Sequence, residues 1–394
     1  MKRSENRILT THAGSLPRPP ELRTLLDARA QGEAYNEAEF DKRVTMAVKE
    51  VVDKQVEIGI DVIGEGEESK PGFANYLDER MAGFELRELE PGQVPAMAQD
   101  GRDRTDFREF YAAMDTSGRT FADYGNRTAP RVQKRLVCTG PLSYIGQELV
   151  KTDVANFQAA LTGVTYEEGF IPSLAPGTVD HRLYNNFYKT EEEFVYAIAD
   201  VMKEEYEAIA NAGFIVQIDD PGLPDTWDML VSRPSLTEYR KYADLRIEAL
   251  NHALANVPSS QVRYHICWGS WHGPHTYDIP LEDIVDIMLK VNADAFSIEA
   301  GNVRHDHEWR VWETTKLPEN AVLVPGVVSH ATNVVEHPRL VADRIVRYAG
   351  LVGRENVIAG TDCGLGGRVH TQLAWAKAKA LVEGAQLATK ELWS

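Results

Sequence analysis

Cysteine is scarce in this chain: Cys138, Cys267 and Cys363 are the only three in 394 residues. An odd, small number argues against a disulfide framework and fits a reducing compartment. Long apolar runs are missing too. No stretch approaches the roughly 18 apolar residues that a membrane-spanning helix needs. The basic start MKRSENRILTTHAGSLPRP lacks the apolar segment of a secretory signal. Positive charge is in short supply, with 42 Lys and Arg against 60 Asp and Glu and a formal net charge of −18. Nucleic acid and anionic membrane surfaces both demand cations, so neither is expected as a partner. There is no internal repeat and no Pro/Ser-rich linker. What is present is an ordinary globular balance, 43% hydrophobic and 26% charged, which leads to the expectation of a cytoplasmic protein with a large core.

Strand-like and helix-like segments alternate, the signature of α/β architecture. Asn36, with Glu39 three residues on, opens a helix that carries Phe40, Val44, Val48 and Val51 and stops at Gly59. Thr190 with Glu193 opens another, closed by Gly213. Further helices are expected at 236–255, 281–291 and 338–349. Barrel strands are expected at 8–11, 61–64, 135–140, 214–219, 262–267, 295–299, 322–327 and 356–362. A ninth strand-like segment, 169–177, lies outside the barrel or else displaces one of the eight. The fold predicted is a single (β/α)8 TIM barrel, 1–394, with insertions at about 77–133 and 164–192.

In a parallel barrel the reactive residues sit at the C-terminal ends of strands. Read in order, those ends give His12 and Ser15, Glu65 and Glu67, Thr139, Asp219 and Asp220, His265 and Cys267, Glu299, His330, and Asp362 and Cys363. His265 and Cys267 are two apart on one strand, so both side chains face the same way. With Glu299 and Cys363 they supply an imidazole, two thiolates and a carboxylate, a set that zinc accepts. Sulfur ligands disfavour magnesium and calcium. Cys138, inside an apolar strand, reads as a core residue. Two thiolates and a carboxylate outweigh the charge of Zn2+. Such a centre is poorly suited to activating water, but it can deprotonate a thiol and keep it nucleophilic. The chemistry expected is thiolate attack on an electrophilic carbon.

The segments TTHAGSLPRP, GEGEESKPGFANYL, CTGP, VQIDDPGLPD, YHIC, SIEAG, PGVVSH and GTDCGLGGR resemble, in order, the blocks of the catalytic barrel of cobalamin-independent methionine synthase. The match spans nearly the whole chain and fits the single-barrel relatives of that two-barrel enzyme. The resemblance implies methyl transfer from a methyl-folate to homocysteine, in methionine biosynthesis. It matches His265, Cys267, Glu299 and Cys363 to the zinc ligands. It matches Asp219 and Glu67 to residues that hold the amino-acid part of homocysteine, and Ala13 and Ser15 to backbone contacts with it. By the same resemblance Asp225 faces the folate. His330 lies near the proton donor to the leaving nitrogen, offset by one residue.

The chain departs from that pattern at WGSWHGPH, with Trp268, Trp271, His272 and His275, and at AGNVRHDHEW, with His305 and His307. Both lie near the top face, and both leave open the methyl donor and the thiol acceptor. No Lys/Arg cluster suits a polyglutamate tail. A second reading therefore keeps the metal and changes the electrophile to an epoxide, as in other single-barrel relatives. A metal-free barrel and a structural zinc rank below these. Trp268 and Trp271 suit either stacking on a planar donor or packing. His272 and His275 suit either a substrate pocket wall or structural packing, and His305 and His307 either a site role or a solvated loop. Of Glu65, Glu67 and Glu68, one or two point inward and the rest are expected in solvent. Asp220 reads as a strand-end cap or a partner of a ligand, and Arg368 as a carboxylate partner.

Overall fold

The computed structural model describes residues 1–90, 101–117, 134–270 and 273–394. The strands among them are β1 (Leu9–Thr10), β2 (Val62–Gly64), β3 (Met81–Glu88), β4 (Lys134–Tyr144), β5 (Glu168–Leu174), β6 (Leu183–Asn185), β7 (Ile215–Asp219), β8 (Val262–Ile266), β9 (Ala295–Ile298), β10 (Val322–Val328) and β11 (Ile358–Thr361). Eight form one parallel sheet in the order β1-β11-β10-β9-β8-β7-β5-β2. Its ends meet where the Asp61 N–H donates to the Thr10 carbonyl at 3.1 Å and the Thr11 hydroxyl donates to the Val62 carbonyl at 2.9 Å. The architecture is the expected (β/α)8 barrel.

Two assignments from sequence need correction. The third barrel strand is β5, within the segment taken as the insertion 164–192. Residues 135–140 belong instead to β4, in a side sheet of order β3-β4-β6. RLVCTG and GFIPSL both read as strands, and the second displaces the first from the barrel, the alternative that the ninth strand-like segment had left open. Propensity finds a strand but does not say which sheet it joins. Pro172 is tolerated because β5 still pairs with β7 in register, Pro172 opposite Gln217. Thr139 therefore lies in the side sheet and not at a barrel strand end.

The helix signals hold. The Asn36 side chain accepts from the Glu39 N–H at 3.1 Å, and Gly59 closes that helix, Glu37–Ile58, at φ 95°. Thr190 caps Glu191–Asn211 in the same way. The run 281–291 is less regular than expected, with only short turns at Leu281–Asp283 and Val285–Met288. No helix among the described residues is long and apolar enough to cross a membrane.

The inner face of the barrel changes character along its axis. Near the N-terminal ends the inward residues are apolar: Leu9, Ala295, Val322, Val324 and Ile358 cluster together, as do Val62, Phe170 and Ile215. Two and four residues further on, period-two alternation brings polar groups to the same face. Thus Ile215 leads to Gln217 and Asp219, and Ala295 to Ser297 and Glu299. Arg263, on the same face as His265 and Cys267, is buried there. It donates to Thr11 Oγ1 at 2.8 Å and lies over the Phe170 ring. An apolar plug below and a polar layer above direct the chemistry to the C-terminal mouth.

Candidate metal centre

His265 is the last inward residue of β8, and its neighbour in register on β9 is Ser297. The Ser297 hydroxyl lies 3.0 Å from His265 Nδ1. That contact orients the ring and leaves Nε2 buried with no hydrogen-bond partner. Cys267 follows two residues later, and Cys363 arrives from the turn after β11. The ligand-capable atoms of His265, Cys267 and Cys363 all lie within 4.8 Å of one another, with the two sulfurs 4.0 Å apart. The thiols are strongly unequal. Contact with Cys267, aided by His265 and His330, pulls Cys363 well below the usual thiol range, while Cys267 is pushed up.

Glu299 stands beside this trio rather than in it. Its Oε1 is buried without a hydrogen bond and lies 3.9 Å from His330 Nδ1. Its Oε2 accepts from Asn302 Nδ2 at 3.2 Å. Burial, reinforced by Asp362 and Cys363, raises its pKa well above the carboxylate range. The turn that follows Glu299 is fixed from β11: Asp362 Oδ1 accepts the N–H groups of Ala300 and Gly301 at 2.8 and 2.7 Å. His330 follows β10. The preceding residue, Ser329, donates its N–H to Glu336 Oε1 at 2.9 Å, and Glu336 Oε2 accepts from the fully buried Lys377 at 2.9 Å.

The carboxylates expected to hold an amino acid gather on the adjoining wall. Asp219 is opposite His265 in register. Its Oδ1 accepts from Gln217 Nε2 at 2.7 Å. Burial pushes Asp219 up to about 7, opposed by His265 and reinforced by Glu67. Glu67 has a left-handed backbone, φ 58°, unusual for a side-chain-bearing residue. Arg18 holds that turn by donating to the Glu67 carbonyl at 2.6 Å. The Glu67 carboxylate packs on Gly14, where a Cβ would meet its Oε1 at 2.6 Å. The loop at Ala13 and Ser15 is thereby next to Glu67, and the Cys363 turn packs on it, since Leu365 and Gly366 both donate to the Ser15 carbonyl at 2.9 Å.

Asp225 lies further out, on the helix Gly222–Met229. Its Oδ1 has no hydrogen bond. Burial and the neighbouring Asp278 push it up to about 8. Asp278 is the centre of the departures noted in the sequence. It accepts from His275 Nδ1 at 3.1 Å and from His305 Nε2 at 3.0 Å, and His305 Nδ1 meets Glu308 at 2.9 Å. His305 stacks on Trp268, ring centroids 3.9 Å apart. Trp268 is itself buried and donates to the Ile279 carbonyl. These residues form a packed wall, whereas His307 is exposed. Trp271 and His272 lie outside the described residues.

Other expectations change. Glu65 and Glu68 are not solvated: they are 4% and 0% exposed. Burial pushes Glu65 to about 7 and Glu68 well above the usual range. Asp220 is held by Tyr264 and Thr178 and serves packing. Arg368 donates to the Ser270 carbonyl at 2.9 Å. Three supporting residues were not singled out from sequence: Gln217, Ser297 and Asn302. The first two repeat the spacing of His265 and Cys267, two residues before Asp219 and Glu299, and that spacing is the signal that could have found them.

One imidazole and two thiols thus meet at the barrel mouth, beside the buried carboxylates of Glu299, Asp219 and Glu67. The family model described as the catalytic domain of cobalamin-independent synthase matches residues 8–106 and 112–387. The chain belongs to the cobalamin-independent synthase family. Within it, the chain is 23% identical over 386 residues to a methionine synthase of Thermococcus kodakarensis, covering 97% of this chain and 94% of that protein. It is also 23% identical to 5-methyltetrahydropteroyltriglutamate–homocysteine methyltransferase 1 of Arabidopsis thaliana, covering 98% of this chain but 43% of that protein. The chain thus spans less than half the length of the Arabidopsis relative. A B12-independent methionine synthase from Shewanella sp. W3-18-1, solved with selenomethionine, superposes with a TM-score of 0.69 at 20% identity, over 98% of this chain and 99% of that one. This likeness establishes the shared barrel.

Proposed function

We propose that this chain is a zinc-dependent thiol S-alkyltransferase, and that methyl transfer to homocysteine is its reaction. The observation that carries the proposal is the convergence of His265, Cys267 and Cys363 within 4.8 Å at the barrel mouth. His265 Nε2 is a buried nitrogen without a partner, and Glu299 Oε1 is a buried oxygen without one. One imidazole, two sulfurs and a carboxylate fit zinc and suit no hard cation. When bound in this set, zinc stabilises an incoming thiol as its nucleophilic anion.

The protein's own groups account for the rest. Asp219 and Glu67 bind the ammonium end of an amino-acid thiol and aim its sulfur toward Cys267 and Cys363. The Ala13–Ser15 loop closes over it. His330, 3.9 Å from Glu299, holds a proton at the mouth and passes it to the leaving group of the donor. The buried Trp268–His305 pair and the apolar plug keep bulk water from competing for the electrophile. Sequence relatives named as homocysteine methyltransferases and as methionine synthase support this choice of acceptor.

The donor side supports a second electrophile as well. Asp225, Asp278, His275 and His305 wall it, where the chain departs from the family pattern, and the second reading keeps the metal and takes an epoxide as electrophile. The test is an assay of zinc-loaded protein with homocysteine and methyl-folate, beside one with a thiol and an epoxide. Methionine formation that disappears in Asp219→Ala and His330→Ala supports the proposal. Thioether formation from the epoxide alone would move the chain to the second reaction. Absence of both products would overturn the function.

A further inference from the structure

The metal centre poses a selectivity problem that its ligand set does not solve. In the reaction proposed above, three sulfurs meet one zinc: Cys267, Cys363 and the incoming thiol. All three are anionic in that setting, and a zinc thiolate is a nucleophile whichever molecule it belongs to. Only the substrate sulfur must reach the electrophile. Methylation of a ligand would turn a thiolate into a neutral thioether and strip the centre of a donor charge. Cys363 is the more vulnerable of the two, since it is partly exposed while Cys267 is buried.

The turn that follows β8 engages both sulfurs. Gly269, at φ 82°, takes a left-handed backbone that a side chain would strain, and its N–H is hydrogen-bonded to the Cys267 thiol. At the next residue, Ser270 Oγ lies 3.0 Å from Cys363 Sγ. A metal-bound thiolate carries no proton, so the serine hydroxyl is the donor in that pair. Ser270 is also held from the other side of the site, because Arg368 Nη1 donates to its carbonyl at 2.9 Å. Arg368 belongs, like Cys363, to the segment that follows β11. The two loops are thus joined twice, by Arg368 on the Ser270 main chain and by the Ser270 side chain on Cys363. A hydrogen bond donated to a thiolate draws charge from the sulfur, and it weakens as that charge passes to an electrophile. Attack by the bonded sulfur is slowed accordingly.

We propose that Ser270 is a specificity-determining residue: its hydroxyl damps Cys363 as a nucleophile, so that the alkyl group goes to the substrate sulfur and the metal ligand is spared. The proposal rests on the zinc reading above and holds for both electrophiles considered there.

The test follows the ligand rather than the product. Zinc-loaded full-length protein, without thiol substrate, is treated with iodomethane. At an attacked cysteine the carbon–iodine bond breaks, iodide leaves and a sulfur–methyl bond forms. Initial rates at Cys138, Cys267 and Cys363 are read by peptide mass spectrometry. In Ser270→Ala, methylation of Cys363 should accelerate by roughly tenfold, the rate equivalent of losing part of a hydrogen bond to a charged group. Ser270→Thr keeps the hydroxyl and should stay near wild type. Cys267 retains the Gly269 N–H and should be unchanged. Cys138, 0% exposed in the core, should stay unmodified and so report an intact fold. Equal Cys363 rates in wild type and Ser270→Ala, or the same acceleration at Cys267 as at Cys363, would overturn this inference and leave the zinc reading standing. A protein that takes up no zinc would overturn both.

Discussion

Lys377 offers the sharpest test of how the mouth is held together. Its side chain is 0% exposed and that of Glu336 is 7% exposed, with 2.9 Å between Nζ and Oε2. An exposed pair would contribute about 0 to 1 kcal/mol. A buried pair behaves differently, because removal of one partner leaves the other charged and without solvent, at about 3 to 5 kcal/mol. Lys377→Met should therefore lower the unfolding free energy by about 3 to 5 kcal/mol, read from urea titrations followed by circular dichroism. Glu336 also takes the Ser329 N–H, one residue before His330, so turnover should fall while metal content stays unchanged. The double variant Lys377→Met, Glu336→Gln removes the stranded charge but keeps an acceptor for Ser329. It should recover most of the lost stability. A single variant that loses less than about 1 kcal/mol, the range of a surface pair, or a double variant no more stable than the single, would refute the reasoning.

Two further predictions concern the site. Ser297→Ala removes the 3.0 Å contact that orients His265; zinc affinity should drop by roughly 10- to 100-fold in a competition titration against a chromophoric chelator, and an unchanged affinity would mean that the ring is oriented by packing alone. Asp225 is pushed from 3.8 up to about 8 by burial and Asp278, so the folded state holds its proton more tightly than the unfolded chain does. Its contribution to stability must then decline as pH rises from about 4 to about 8 and change no further above that. Asp225→Asn should flatten this part of the profile of melting temperature against pH, and a profile identical to wild type would show that Asp225 does not titrate there.

Much of this architecture was readable from residue order. Gly59 and Gly213 as helix stops, Asn36 and Thr190 as caps, and the strand at 262–267 are local features that survive in the folded chain. The shared facing of His265 and Cys267 follows from strand periodicity, which continues one residue past the end of β8 at Ile266. The error at 135–140 arose because two segments competed for one place in the barrel, and local pattern carries no information about sheet membership. The burial of Glu65 and Glu68 was missed for a related reason: a run of acids suggests solvent, and only the close packing of the turn onto the helix Glu37–Ile58 removes them from it. The roles of His275 and His305 depended on Asp278 lying between them, a contact across 27 residues for His305 that no spacing rule anticipates.

The central claim is tested most directly by measuring bound metal in purified protein, wild type beside His265→Ala, Cys267→Ala and Cys363→Ala, by plasma emission spectroscopy after dialysis. The account predicts one zinc per wild-type chain and almost none in each variant, with all four proteins retaining the same circular dichroism. Wild type that binds no zinc from a zinc-supplemented buffer, or variants that retain it fully, would contradict the account.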